Sequence, residues 1–216
     1  MTLEHKEFSR QLKEFQSHWF HTIVAYEVYF KIWPTEQIID VFNLHRGFFI
    51  PVRDSLYQTM MMGFAKVFDR DSRTMSLRNL LNTAQRHMEL VPKLTQQDIQ
   101  NMNAQLSKHE TAMDTLKCLR DQKLAHLDAK PQPLSPLLKG QLDSLVATVG
   151  EAFNKLSAGH DGSLYSWSFQ ISDSATQTDS ILSILQEAIN ARKAEIDRRL
   201  AELKPGGQKS TDAKDV

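Results

Sequence analysis

The sequence predicts an all-α fold, a bundle of about six helices, and three observations predict it. Apolar residues recur every three or four positions along most of the chain, the spacing of one helical face. Glycine (8) and proline (7) are scarce in 216 residues, too few for the many turns of a β-sandwich or barrel. The prolines at 34, 51, 92, 131, 133, 136 and 205 stand at the edges of the periodic stretches, where a missing N–H does least harm.

Residues 3–31 carry Phe8, Leu12, Phe15, Trp19, Ile23, Tyr26 and Phe30 in steps of three or four, which predicts a first long helix. Thr35, followed by Glu36 and Gln37, opens a short helix over 35–46. A third helix is expected over 51–68, with Pro51 in its first turn. The polar FDRDSRTMS stretch, 68–76, reads as a loop that ends on Ser76, an N-cap for SLRNLLNTAQRHMEL. Thr95 caps the longest predicted helix, 96–128, with acceptors from Gln97 and Asp98 near its positive end. KPQPLSP ends that helix, because residues before proline avoid the helical region. A helix follows over about 136–157. The Ser-, Gly- and Thr-rich 159–180 stretch reads as a loop with an extended LYSWSF piece, and 178–203 returns to helical periodicity. One domain over 1–203 is expected, followed by a disordered tail over 204–216, which has no core-forming residue.

Composition removes several classes of function. Lys and Arg (26) balance Asp and Glu (26), so a broadly basic nucleic-acid coat is excluded, although a local basic patch is not. The single cysteine, Cys118, excludes an intramolecular disulfide framework and any multi-cysteine zinc site. The N-terminus has no apolar h-region, and no run of apolar residues is long enough to span a bilayer. The expected setting is reducing and cytoplasmic, without membrane contact and without a cofactor.

The sharpest chemistry lies in KCLRDQKLAHLD, residues 117–128. Arg120 and His126 are separated by five residues, and Asp121 directly follows the arginine. Histidine titrates near neutrality and can take or give a proton. A guanidinium can clamp two phosphoryl oxygens with its planar fork. On a regular helix the two side chains would project about 120° apart with a rise of roughly 9 Å, so one helix alone does not easily bring both to one phosphate.

This arrangement resembles the R-x(4–6)-H motif of the HEPN superfamily, helical domains found in many prokaryotic RNases and in toxin–antitoxin and phage-defence systems. There a polar residue follows the arginine, as Asp121 does here. WPTEQIID (33–40), PVRDSLYQTMMMGFAKVFDRDSRTMSLRNLL (51–81) and LRDQKLAHLD (119–128) are together similar to the AbiU-like, abortive-infection branch. The resemblance implies a metal-independent endoribonuclease with Arg120 and His126 as its catalytic pair and Asp121 in support. It also implies an RNA substrate, a homodimer with a composite cleft, and an antitoxin or defence partner protein. The alternative is a non-catalytic helical interaction module of the same fold, which the neutral net charge favours.

Other candidates have plainer explanations. Glu14, His18 and His21 share a helical face and could offer three metal ligands, but no second cluster supports them, and a polar face is the simpler reading. Asp69, Arg70, Asp71 and Arg73 could touch RNA or a cation, yet such loops more often pair their own charges and cap the flanking helices. Met60, Met61 and Met62 fit core or interface, Cys118 an ordinary half-buried thiol, and His160 a turn.

Overall fold

The computed structural model describes residues 2–124 and 135–203. Eight α-helices and no strand occur among them. They are α1 (Leu3–Lys31), α2 (Ile39–Leu44), α3 (Arg46–Val67), α4 (Leu77–Arg86), α5 (Gln96–Ser107), α6 (Glu110–Leu119), α7 (Lys139–His160) and α8 (Trp167–Leu203). No described helix is long and apolar enough to cross a membrane.

α1 forms as its periodicity predicts. Thr2 accepts a hydrogen bond from the His5 N–H at its start, and Phe8, Leu12, Phe15, Trp19, Ile23 and Tyr26 are all buried. Burying each such side chain stabilises the fold by about 1.5–3 kcal/mol. α1 packs chiefly on α3, and also against α8. The two helices approach closely at Gly63, where a Cβ would lie 2.2 Å from Thr22 Oγ1. A main core joins α1, α3, α4, α5, α6 and α7. A smaller one, built on Ile32, Val41, Phe42, Phe49, Leu182 and Ile189, seats α2 and α8.

Several boundaries differ from the sequence expectation. The short second helix begins at Ile39, four residues after Thr35. α3 begins at Arg46, so Pro51 lies inside it and not in its first turn. Buried Phe49, packed against Phe42, holds that extra turn despite the hydrogen bond Pro51 cannot make. The 96–128 helix is interrupted at Lys108–His109, where His109 Nε2 reaches Thr148 Oγ1 of α7 at 2.9 Å. It resumes as α6 and then widens into a π turn over Arg120–Leu124.

α7 runs three residues later at both ends than expected, with the Leu138 N–H donating to Gln141 Oε1. The largest departure is α8, which starts at Trp167, so much of the expected loop is helix. Its hydroxyls are absorbed by the helix itself: Thr176 donates to the Ser172 carbonyl and Thr178 to the Ser174 carbonyl. Trp167 is buried against Phe153 and Tyr165. The true turn between α7 and α8 is short and passes through Gly162 at φ +90°, a left-handed conformation that favours glycine. The expected tail over 204–216 lies outside the described residues.

Candidate functional site around Arg120

Arg120 stands at the junction of α6 and the π turn. π turns inside α-helices are frequent at functional sites, because the added residue redirects the side chains that follow. The α-helical angle expected between Arg120 and His126 therefore does not carry past Arg120. His126 itself lies outside the described residues.

Arg120 and Asp121 are neighbours in sequence, and in the structure Arg120 Nε donates to Asp121 Oδ1 at 2.7 Å. The second partner comes from far away in the chain. Arg120 Nη1 donates to Asp69 Oδ2 at 2.9 Å, across 51 residues. The Arg120 and Asp69 side chains are only 19% and 21% exposed. Together the two carboxylates hold the guanidinium charged, with its pKa raised above the ordinary arginine value, chiefly by the Asp121 hydrogen bond.

Asp69, one of the loop charges given a plainer reading from the sequence, is the partner that the sequence did not connect to Arg120. It directly follows Phe68, the cap of α3, so α3 delivers it to the end of α6. Its other oxygen accepts from the Asp71 N–H at 3.0 Å, which fixes the carboxylate in a local turn. The rest of the loop behaves as its simpler reading predicts. Asp71 accepts from the Arg73 backbone and guanidinium, which depresses its pKa to about 2. Arg70 crosses to α6 and pairs with Glu110 and Asp114, and Arg78 lies 3.8 Å from Glu110. Among the described residues, Arg70, Arg73, Arg78 and Arg120 thus each lie within 4 Å of a carboxylate of Asp69, Asp71, Glu110, Asp114 or Asp121.

The remaining candidates fall into structural roles. Glu14 pairs with Arg10, His18 Nε2 lies 3.4 Å from the Gly63 carbonyl oxygen, and His21 rests on Phe20, so the described residues do not form that metal triad. Burial lowers the His18 pKa. Met60 and Met61 are buried core residues. Cys118 is exposed, not half-buried. His160 is the last residue of α7 and is buried, with Nδ1 2.6 Å from the Leu90 carbonyl oxygen and Nε2 2.7 Å from Ser9 Oγ. Among the described residues Glu4, His87 and Glu89 form a group with possible metal ligands within 4.8 Å of one another, all three exposed.

The family model HEPN_AbiU2, described as AbiU2, matches residues 6–200. The chain belongs to the HEPN AbiU2 family. No curated protein and no solved structure matches it. The match runs from α1 into α8, the helix that the sequence pattern divided between loop and helix. Asp69, Arg120 and Asp121 all fall within it.

Proposed function

We propose that this AbiU2 chain is a metal-independent endoribonuclease of HEPN type that serves phage defence or a toxin–antitoxin pair. In this reading it acts in the cytoplasm as a homodimer, with Arg120 and His126 as the catalytic pair and Asp121 and Asp69 as positioning residues. The ribose 2′-oxygen attacks phosphorus and loses its proton to a base. The bond from phosphorus to the 5′-oxygen breaks, and that oxygen receives a proton. His126 is suited to one of these transfers, and Arg120 to the charge that builds on the phosphoryl oxygens. DNA has no 2′-hydroxyl and is not cut this way.

The observation that carries this reading is the restraint on Arg120. A guanidinium has five N–H donors. Two are taken, at Nε and Nη1, by carboxylates that fix its plane. Among the described residues no partner takes Nη2, which leaves an edge for phosphate.

The test is incubation of the protein, Arg120→Ala and His126→Ala with mixed tRNA and single-stranded RNA in EDTA, with the product ends resolved. Cleavage by the unmodified chain alone, leaving 2′,3′-cyclic phosphates, is expected. Cleavage that survives His126→Ala refutes the assignment.

The second reading is a non-catalytic HEPN module that binds a partner protein. The charge matching around Arg120 favours it, since RNA-binding surfaces usually keep unpaired cations. It predicts no cleavage of any RNA.

A further inference from the structure

A cavity of about 580 Å³ opens between α1, α3, α6 and the start of α7. That lies within the range of about 300–1,000 Å³ common to small-ligand sites. Its walls include Tyr29, Trp33, Tyr57, Met60, Leu119 and Lys139. The Tyr29 ring lies 5.6 Å from Trp33 and 5.8 Å from Tyr57, centroid to centroid. Trp33 is 46% exposed, whereas Trp19 and Trp167 are buried.

Three features describe the occupant. The rings offer flat faces, which stack on any base without regard to its sequence. No described residue hydrogen-bonds the Tyr29 or Tyr57 hydroxyl, and both are donors at neutral pH, as phenols ordinarily are, with burial raising each pKa further. Cations stand beside the rings: the Arg53 guanidinium, outside the cavity lining, is 5.5 Å from the Trp33 ring, and the Lys139 ammonium, which also pairs with Asp143 at 2.9 Å, is 5.2 Å from that of Phe30. An aliphatic chain would need neither phenol donors nor cations at the rim, whereas a nucleotide uses both.

The cavity also adjoins the Arg120 site along two elements. Leu119 lines it and Arg120 is the next residue. On α3, Met61 lines it, and the helix ends at Val67, about 9 Å further along the axis and two residues before Asp69.

We propose that this cavity receives an unpaired nucleobase of an RNA strand whose backbone passes Arg120. The proposal rests on the ribonuclease reading and extends it, making the chain a reader of single-stranded RNA. Tyr29, Trp33 and Tyr57 are then base-stacking residues, and their hydroxyl or indole edges set base preference.

The test uses the full chain and two short single-stranded oligoribonucleotides, one intact and one with a central abasic site. Binding is followed by fluorescence anisotropy and by quenching of tryptophan emission. Trp33→Ala and Tyr57→Ala are expected to weaken binding of the intact strand by about 5-fold to 100-fold, and the abasic strand should bind the unmodified chain correspondingly less well. Tyr57→Phe keeps the ring and should retain most of the affinity, which separates stacking from loss of fold. RNA should quench Trp33, and Trp33→Phe should abolish that quenching.

Cleavage by the unmodified chain with equal binding of both strands, unchanged in the Trp33 and Tyr57 variants, overturns the proposal and leaves the nuclease standing. Ring-dependent binding without Arg120- or His126-dependent cleavage supports the cavity and overturns the nuclease. Neither binding nor cleavage overturns both.

Discussion

Substituting Gly63 by alanine should force α1 and α3 apart. The added Cβ would lie 2.2 Å from Thr22 Oγ1, 2.7 Å from its Cγ2 and 2.9 Å from its Cβ. Rotation about χ1 does not relieve the contact, because the Thr22 Cβ does not move when that torsion turns. Thr22 is also buried, and its hydroxyl is committed to the His18 carbonyl at 2.9 Å. Overpacking of this kind costs about 1–3 kcal/mol and occasionally more. The better helix propensity of alanine returns up to about 1 kcal/mol. Contacts this short put the clash at or above the top of its range, so a net loss of about 2–3 kcal/mol is expected. For a chain of this length that lowers Tm by roughly 5–10 °C. The assay is thermal and urea unfolding followed by circular dichroism, run as a double-mutant cycle with Thr22→Ala. Thr22→Ala deletes two of the three clashing atoms and leaves the 2.9 Å contact, so the pair should be coupled by at least about 1 kcal/mol, with partial rescue. A Gly63→Ala protein as stable as the parent, or two additive substitutions, would refute the reasoning.

Three further outcomes follow from the same geometry. Ser76 is fully buried and accepts the Asn79 N–H, so Ser76→Ala should cost about 1–2 kcal/mol in urea unfolding, and no loss would remove its capping role. Asp69→Asn should destabilise by about 1–2 kcal/mol, and by more than Asp121→Asn, because Asp69 is 21% exposed and Asp121 46%. Equal losses would count against the Asp69 bridge. Burial lowers the His18 pKa from 6.5, so the unfolded chain takes up a proton that folded His18 resists. Stability from His18 is therefore complete above about pH 6.5 and declines as pH falls toward the folded pKa. His109 shifts in the same direction by burial. Tm measured between pH 5 and pH 8 should fall on the acid side, less steeply in His18→Gln, and an unchanged slope in that variant would contradict this assignment.

Local rules made much of the fold legible. Thr2 caps α1, Ser76 caps α4, and Thr95 with Asp98 forms the reciprocal capping box of α5; the caps at Ser76 and Thr95 follow from residue type and position. What escaped the pattern depends on partners distant in sequence. His109 breaks the long helix toward Thr148, Phe49 extends α3 onto Phe42, and Trp167 starts α8 against Phe153. The Ser and Thr of 172–178 suggest a loop, because their hydroxyls compete for backbone groups, yet in α8 that competition is met within the helix. The site divides in the same way. Asp121 was legible as the neighbour of Arg120, whereas Asp69 looked like one more acid in a charged loop. Only the return of α6 to the end of α3 joins it to Arg120.

That junction also distinguishes the two functional readings. Arg120 with Asp69 and Asp121 sums to one negative charge, which repels a phosphate although three guanidinium N–H groups, five less the two engaged, have no partner among the described residues. Asp69→Asn keeps the side chain's shape and an acceptor for Nη1 and brings the sum to zero. A unit charge a few ångströms from the phosphate is worth about 1 kcal/mol even at the dielectric of water, and more in a site as covered as this one, so RNA affinity should rise by at least about 5-fold. If Asp69 also sets the guanidinium plane, cleavage per bound RNA should fall in the same variant, so that binding and turnover move in opposite directions. A scaffold that does not bind RNA shows neither change. Asp69→Asn with tighter binding and unchanged turnover would leave Asp69 as a purely electrostatic brake on RNA binding, and weaker binding would mean that the carboxylate itself, not its charge balance, builds the RNA site.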